Sequence, residues 1–376
     1  MDALNRVSQS NALLRPAFSE QETQFARAFA LLREAIEQRA FPGAALAVTY
    51  RGGLVASQGF GRFTYEATSP EVHADTVFDL ASVTKVVATT AMAMVLYQRG
   101  ALRLEATAAA IFPEFLALGL PAQQKDRRAV TVGTLLAHCS GLPAYVKLFE
   151  SAGTRDELVR AALATPLVAP PDSIAEYSDI GFIVLGEFLE HLGGISLDVF
   201  AQKEIFAPLG MARTCFNPAA DCTSEIPPTE DDRNFRHRVI QGEVNDENAW
   251  VMGGVSGHAG LFAPATDVAR FAECMLRGGA PILNTATVEL FTRRLPRPPN
   301  TSRALGWDTP SQPSSSGAHF SSRSFGHLGY TGTSLWIDPV RQLSVTLLTN
   351  RTWPNRSSQA IKQVRPRLHD TIVEAL

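Results

Sequence analysis

The segment Asp79–Gly100, D-L-A-S-V-T-K-V-V-A-T-T-A-M-A-M-V-L-Y-Q-R-G, limits the fold more than any other stretch of the chain. From Val86 to Tyr97 it carries no charge. Apolar side chains fall on every side of a 3.6-residue period, so a helix here has no solvent face and must lie inside the protein. Gly100 is a fitting stop, because glycine takes the left-handed conformation that ends many helices. Ser82 stands at the entry, where free backbone N–H groups and the positive end of the helix dipole face outward. Lys85 follows three residues later, on the same face. It is the one charge between Asp79 and Arg99, and no other serine in the chain is followed by a lysine at that spacing. A lysine shut in apolar surroundings loses hydration, which lowers its pKa and favours the neutral amine. A neutral amine beside a hydroxyl is a nucleophile with its base. The plainer reading is a capping serine and a lysine that snorkels to the surface.

With 376 residues, 45% of them hydrophobic and 19% charged, the chain can bury one large core or two joined ones. A net charge of -3 gives no basic footprint for nucleic acid or an anionic membrane surface. No apolar run is bounded as a membrane span, and the start lacks the charged-then-apolar layout of an export signal, so a cytoplasmic protein is expected. Cys139, Cys215, Cys222 and Cys274 show no metal-type spacing and read as packing residues. The histidines are scattered without H-E-x-x-H, and no glycine-rich phosphate loop is present. The expectation is therefore no metal, no cofactor, and a small-molecule partner; the oligomeric state is left open.

Residues 1–16 read as a loose leader. Phe25, Phe29, Leu32 and Ile36 recur at helical spacing and predict an amphipathic helix between Glu20 and Gln38. Gly43 to Tyr50 and Leu54 to Phe60 predict a hairpin closed by Arg51-Gly52-Gly53. A middle region with helical patterns and many prolines follows, with no strand run of comparable strength. Residues 217–250 read as a polar surface insertion near the mouth of the site, and 296–322 as a second loop. Between them P-A-T-D-V-A-R-F predicts a helix capped by Thr266 or Asp267. Strands are predicted at Ser324 to Tyr330, Thr333 to Ile337 and Leu343 to Leu348, with Asp338-Pro339 as a turn, and a helix from about Ser357 to Leu376. The whole reads as an α+β fold. Residues 18–80 and 253–376 form an antiparallel sheet domain flanked by the terminal helices, residues 81–252 a mostly helical second domain, and the site lies at their interface.

In its context, F-D-L-A-S-V-T-K resembles the first motif of the penicillin-recognising serine hydrolases, in the class C β-lactamase-like branch that includes D,D-peptidases and carboxylesterases. T-V-G-T-L-L-A-H-C-S-G-L at 131–142 is similar to a second signature of that branch, with Cys139 where threonine is usual. The resemblance implies a packed turn there, so His138 is expected to bond nearby backbone. Tyr177-Ser178-Asp179 reads, by itself, as a helix cap. It also resembles the branch's Y-x-N motif, which implies that Tyr177 bridges the nucleophile and its lysine in proton transfer. A neighbouring Lys85 cation is expected to ease ionisation of that phenol. Asp179 departs from asparagine. A carboxylate only accepts hydrogen bonds, so Asp179 is expected to hold Lys85 rather than donate to a substrate.

His327-Leu328-Gly329 resembles the K-T-G or H-T-G strand that walls the site opposite the serine. The resemblance implies a cationic first position at His327 and an oxyanion hole from the backbone N–H groups of Ser82 and Tyr330. Gly329 is expected to let a substrate backbone lie close. Tyr330-Thr331-Gly332 is a competing register. Leu328 replaces a threonine, and losing that hydroxyl removes a charge-assisted bond of about 1.5 to 3 kcal/mol, which disfavours substrates with a carboxylate at that subsite. His258, in S-G-H-A-G, reads as a loop histidine without function near the rim. No G-x-S-x-G nucleophile elbow is present. The resemblance implies a β-lactamase/transpeptidase-like fold and a serine hydrolase with an acyl-enzyme intermediate, read here as a carboxylesterase for small or medium acyl esters. The alternatives are a β-lactamase, a D-amino-acid peptidase or an amidase of the same superfamily, or a non-catalytic scaffold that kept the fold.

Overall fold

The computed structural model describes residues 13–376. Residues 1–12 of the expected leader lie outside this range, and Arg15–Pro16 (β1) form a short parallel pair with Gly53 and Leu54. The predicted hairpin is present as β2 (Gly43–Tyr50) and β3 (Gly53–Gly61). Between them and the chain end lie the short strands β4 (Val77–Asp79), β5 (Cys215–Phe216), β6 (Glu230–Asp232), β7 (Arg238–Ile240) and β8 (Leu261–Pro264). β9 (Phe325–Leu328), β10 (Ser334–Asp338) and β11 (Leu343–Thr349) complete the set. The main sheet has six strands in the order β1-β3-β2-β11-β10-β9, so the two ends of the chain meet where β11 pairs antiparallel with β2.

Both faces of this sheet are covered, which explains why β2 reads as a continuous apolar run rather than an alternation. Ala44, Leu46 and Val48 of β2 pack with the helices Ala26–Glu37 and Ile361–Glu374. Ala45 and Ala47 face the other core, with the helix Ala265–Leu276 and the Asp79–Gly100 segment. The turn after β10 forms as predicted, because the Asp338 carboxylate accepts from the N–H groups of Val340 and Arg341 at 3.0 and 3.2 Å.

Several local expectations change. The Asp79–Gly100 segment is buried as expected, but it is a 3₁₀ turn at Ala81–Val83, a π-helical stretch at Lys85–Thr90 and an α-helix at Ala91–Gln98, not one uniform helix. The middle region also carries strands. β5 joins β8 and β4 in a three-stranded sheet, and β6 and β7 form a hairpin. None of β5, β6 and β7 exceeds three residues, too short for an alternation to show in sequence. The helix Ala265–Leu276 has no side-chain cap. Asp267 is drawn away to accept from the Arg213 N–H and the Thr214 hydroxyl at 2.9 and 3.0 Å.

Candidate active site

Ser82 enters its turn under strain. Ala81 before it is left-handed at φ 46°, a conformation that costs a residue with a Cβ about 1 to 2 kcal/mol. It is held there by neighbours that leave little choice. The Ala81 N–H donates to Asp79 Oδ1 at 2.8 Å, and Asp79 Oδ2 accepts from the Asn245 N–H at 2.7 Å. The hydroxyls of Thr331 and Thr333 donate to the carbonyls of Asp79 and Leu80 at 2.9 and 2.8 Å. The end of β9 is thereby tied to the serine turn. Gly329 is required by this contact, since a Cβ there would stand 2.5 Å from the Leu80 carbonyl oxygen. This close approach is to the protein's own backbone, a contact the sequence did not suggest. Among the described residues the Tyr330 N–H has no partner, while the Gly329 N–H is spent on the Thr333 carbonyl.

Around Ser82 the expected residues converge. Lys85 Nζ lies 3.0 Å from Ser82 Oγ, 2.7 Å from Asp179 Oδ1 and 2.9 Å from the His258 carbonyl oxygen. The Tyr177 hydroxyl lies 2.6 Å from Ser82 Oγ and 3.1 Å from Asp179 Oδ1. The Lys85 side chain is fully buried and lies over the rings of Tyr177 and Phe182 at 4.9 and 5.5 Å. Burial pulls its pKa down, opposed by the Asp179 carboxylate. A lysine whose charged form burial disfavours, in contact with a hydroxyl, can take the hydroxyl proton. Ser178 caps the helix Asp179–Gly193 by accepting from the Gly181 N–H at 2.9 Å, so the cap and the Tyr177–Asp179 placement are one device. His138 does the packing expected of it. Its Nδ1 accepts from the Ser178 N–H at 3.0 Å and its ring lies 4.7 Å from that of Tyr177.

Two electrostatic expectations are overturned. Tyr177 is not easily ionised: burial and then the Asp179 carboxylate push its phenol well above the ordinary value. His327 is not a cation. Burial, with Lys85 and Arg303 nearby, holds its imidazole well below the ordinary value, and Nδ1 bonds the Leu328 carbonyl at 2.8 Å. His258 lies in a loop as expected but not at the rim: it is 1% exposed and its carbonyl contacts Lys85.

The cluster opens into a cavity of ≈ 560 Å³ that Ser82, Tyr177, Asp179, His327, Leu328, Gly329 and Tyr330 line together. Asn245, Asp246 and Glu247 supply one wall, as a site-mouth role for residues 217–250 suggested, although Asn245 and Glu247 are buried rather than on the surface. A basic part of the lining was not read from the sequence. It holds Arg351, Arg356 and Arg365, with Arg303 beside Tyr177. Arg356 is neutralised by Glu230 and Glu247, each at 2.7 Å. Among the described residues Arg351 and Arg365 meet no carboxylate. Arg351 donates to the carbonyls of Tyr330 and Ser358 at 2.7 and 2.9 Å, and Arg365 to those of Gly329 and Thr333 at 2.9 and 2.7 Å. Among the described residues no group of three or more His, Cys, Asp or Glu side chains is placed to hold a metal ion.

Residues 28–366 match the Beta-lactamase family model. The chain belongs to the beta-lactamase family. It is 34% identical over 345 residues to an N-acetylmuramyl-L-alanine amidase of Bacillus subtilis, covering 83% of this chain and 77% of that protein. It is also 34% identical over 308 residues to a Salmonella agona protein provisionally named D-alanyl-D-alanine carboxypeptidase, covering 74% of this chain and 70% of that one. Among solved structures it resembles EstCE1, described as a hydrolase with promiscuous acyltransferase activity, at a TM-score of 0.77 and 20% identity, covering 94% of this chain and all of that one. The β-lactamase/transpeptidase fold and membership of its serine hydrolase superfamily follow.

Proposed function

We propose that this member of the beta-lactamase family hydrolyses an amide or peptide bond in a small substrate that carries a free carboxylate, through an acyl-Ser82 intermediate. The observation that carries the substrate reading is the basic wall. Arg351 and Arg365 are cations at the cleft with no carboxylate partner among the described residues, and the charge of Arg351 opposes that of Arg365. An anion that enters between them relieves that repulsion and gains charge-assisted bonds. The arginines thus offer the contact that Leu328, without a hydroxyl, cannot. The names of the Bacillus and Salmonella relatives, an amidase and a carboxypeptidase, support amide chemistry.

In this reading Lys85, as the neutral amine, takes the Ser82 proton while Oγ attacks the substrate carbonyl. The N–H groups of Ser82 and Tyr330 receive the oxyanion. Tyr177, protonated at rest, gives its proton to the leaving nitrogen and regains one from Lys85. Water then repeats the sequence in reverse, which releases the acid and restores Ser82. Asp179 holds Lys85 and Tyr177 in place. Leu328 favours a second reading, the carboxylesterase. The test is steady-state hydrolysis of an N-acyl dipeptide with a free C-terminus, its methyl ester and p-nitrophenyl butyrate by wild type and Ser82→Ala. Preference for the free acid, lost in Ser82→Ala, supports the amidase; preference for the neutral esters supports the carboxylesterase.

A further inference from the structure

The Ser82 cluster leaves a second chain of polar groups without a task. Ser256 Oγ lies 2.7 Å from His258 Nδ1, and His258 Nε2 lies 2.7 Å from Asp246 Oδ1. The order is serine, histidine, acid, but the serine is buried and the acid faces the cleft, so Ser256 is not placed to attack a substrate. A carboxylate only accepts, so Nε2 carries the hydrogen that joins His258 to Asp246. Asp246 is itself fixed, since it caps the helix Glu247–Val251 by accepting from the Ala249 N–H at 2.8 Å. The His258 ring is bolted at both nitrogens.

What the bolts hold is backbone. The His258 carbonyl receives Lys85 Nζ at 2.9 Å, and the preceding Gly257 carbonyl receives the Thr89 hydroxyl at 2.7 Å. Gly257 also lies against the helix Asp179–Gly193, where a Cβ on it would stand 2.1 Å from the Phe182 carbonyl oxygen. The loop is wedged between the segment that carries Lys85 and the helix that carries Asp179.

We propose that Ser256, His258 and Asp246 form a buried strut that aims Lys85 at Ser82, with His258 as a positioning residue acting through its carbonyl. This rests on the reading of Ser82 and Lys85 as nucleophile and base. A neutral amine has two N–H bonds and one lone pair. The Asp179 carboxylate and the His258 carbonyl can only accept, so they take the two N–H groups and leave the lone pair for the Ser82 hydroxyl. If the carbonyl shifts, the amine turns and the lone pair leaves Ser82. The charges that act on Lys85 are Asp179, Asp246 and Arg303. Asp246 is therefore both an anchor of the strut and a field that favours the ammonium.

The experiment measures kcat, KM and the pH profile of p-nitrophenyl butyrate hydrolysis for wild type, His258→Ala, His258→Gln, Ser256→Ala and Asp246→Asn, with unfolding midpoints and Ser82→Ala as blank. A misaimed base costs about 10²-fold, so His258→Ala is expected to lose about that factor in kcat with little change in KM. His258→Gln regains part of it, because its amide N–H can still donate to Asp246. Ser256→Ala gives a smaller loss with the acid limb unmoved. Asp246→Asn keeps an acceptor for His258 but removes the charge, so its acid limb moves to lower pH. Wild-type kcat in folded His258→Ala, or in Ser256→Ala should His258→Ala not fold, overturns the strut while an inactive Ser82→Ala leaves the nucleophile reading standing. Activity retained in Ser82→Ala overturns the nucleophile reading itself.

Discussion

The floor of the cleft and its basic wall follow opposite electrostatic rules. On the floor, Lys85 is matched by Asp179 at 2.7 Å and by neutral acceptors on its remaining sides. On the wall, Arg351 and Arg365 meet backbone carbonyls and each other's repulsion, and no carboxylate among the described residues. A paired charge in a buried cluster sets chemistry, because its partners decide which protonation state and direction it presents. A charge left without a counterion at a cleft sets specificity, because the ligand must bring the counterion. The difference predicts that substitutions on the floor abolish turnover for every substrate, while substitutions on the wall discriminate between substrates.

The largest expected effect is at the floor. Lys85→Ala removes the base and leaves the half-buried Asp179 without its cation, so kcat/KM is expected to fall by at least about 10⁴-fold for acidic and neutral substrates alike. A fall confined to one of them would break the contrast. Tyr177→Phe keeps the ring against His138 and removes the proton donor, for an expected loss of about 10² to 10⁴-fold in kcat. Because the phenol is held neutral, the wild-type profile should show no added alkaline-side gain from phenolate near pH 10.

Asp79, beside the floor, tests how tightly that region is sealed. Burial raises its pKa to about 6 from an ordinary 3.8. A group with a raised folded-state pKa contributes stability that is present below its unfolded pKa and is lost as pH rises through the folded value. Relative to Asp79→Asn, the wild type should therefore lose about 2 kcal/mol between pH 4 and pH 7. Urea unfolding at the two pH values measures this, and equal slopes for the two proteins would mean that water reaches Asp79. The smallest effect is on the wall. Arg351→Gln should raise KM for a carboxylate-bearing peptide by about 10- to 100-fold, the equivalent of about 1.5 to 3 kcal/mol, with a much smaller change for p-nitrophenyl butyrate. Equal changes for both would remove the wall from substrate selection.

Local residues carried most of what was legible in the sequence. Ser82 and Lys85 sit three apart on one apolar segment, and the contact between them needs only that local geometry. The sheet strands were legible because both faces are buried and their apolar runs are long, as in β2 and β11. What was missed depends on distant parts of the chain. Arg351, Arg356 and Arg365 form no local motif in the sequence, and only the segment after β11 and the last helix bring them to one wall. The left-handed Ala81 is held by contacts of its neighbours with residues 245 and 331–333, which no local pattern encodes. The sign of the Tyr177 shift was missed for a related reason. Sequence placed a cation near the phenol, but burial and the carboxylate of Asp179 outweigh it. His258 was misread because its contribution to Lys85 is a carbonyl, which side-chain motifs do not display.

The central claim is that Ser82 carries the acyl group, and intact-protein and peptide mass spectrometry after rapid quench with a slowly turned-over p-nitrophenyl ester tests it most directly. The account predicts one acyl adduct, mapped to the peptide that contains Ser82, absent in Ser82→Ala and much slower to form in Lys85→Ala. An adduct on another residue, or hydrolysis at the wild-type rate by Ser82→Ala, would contradict it.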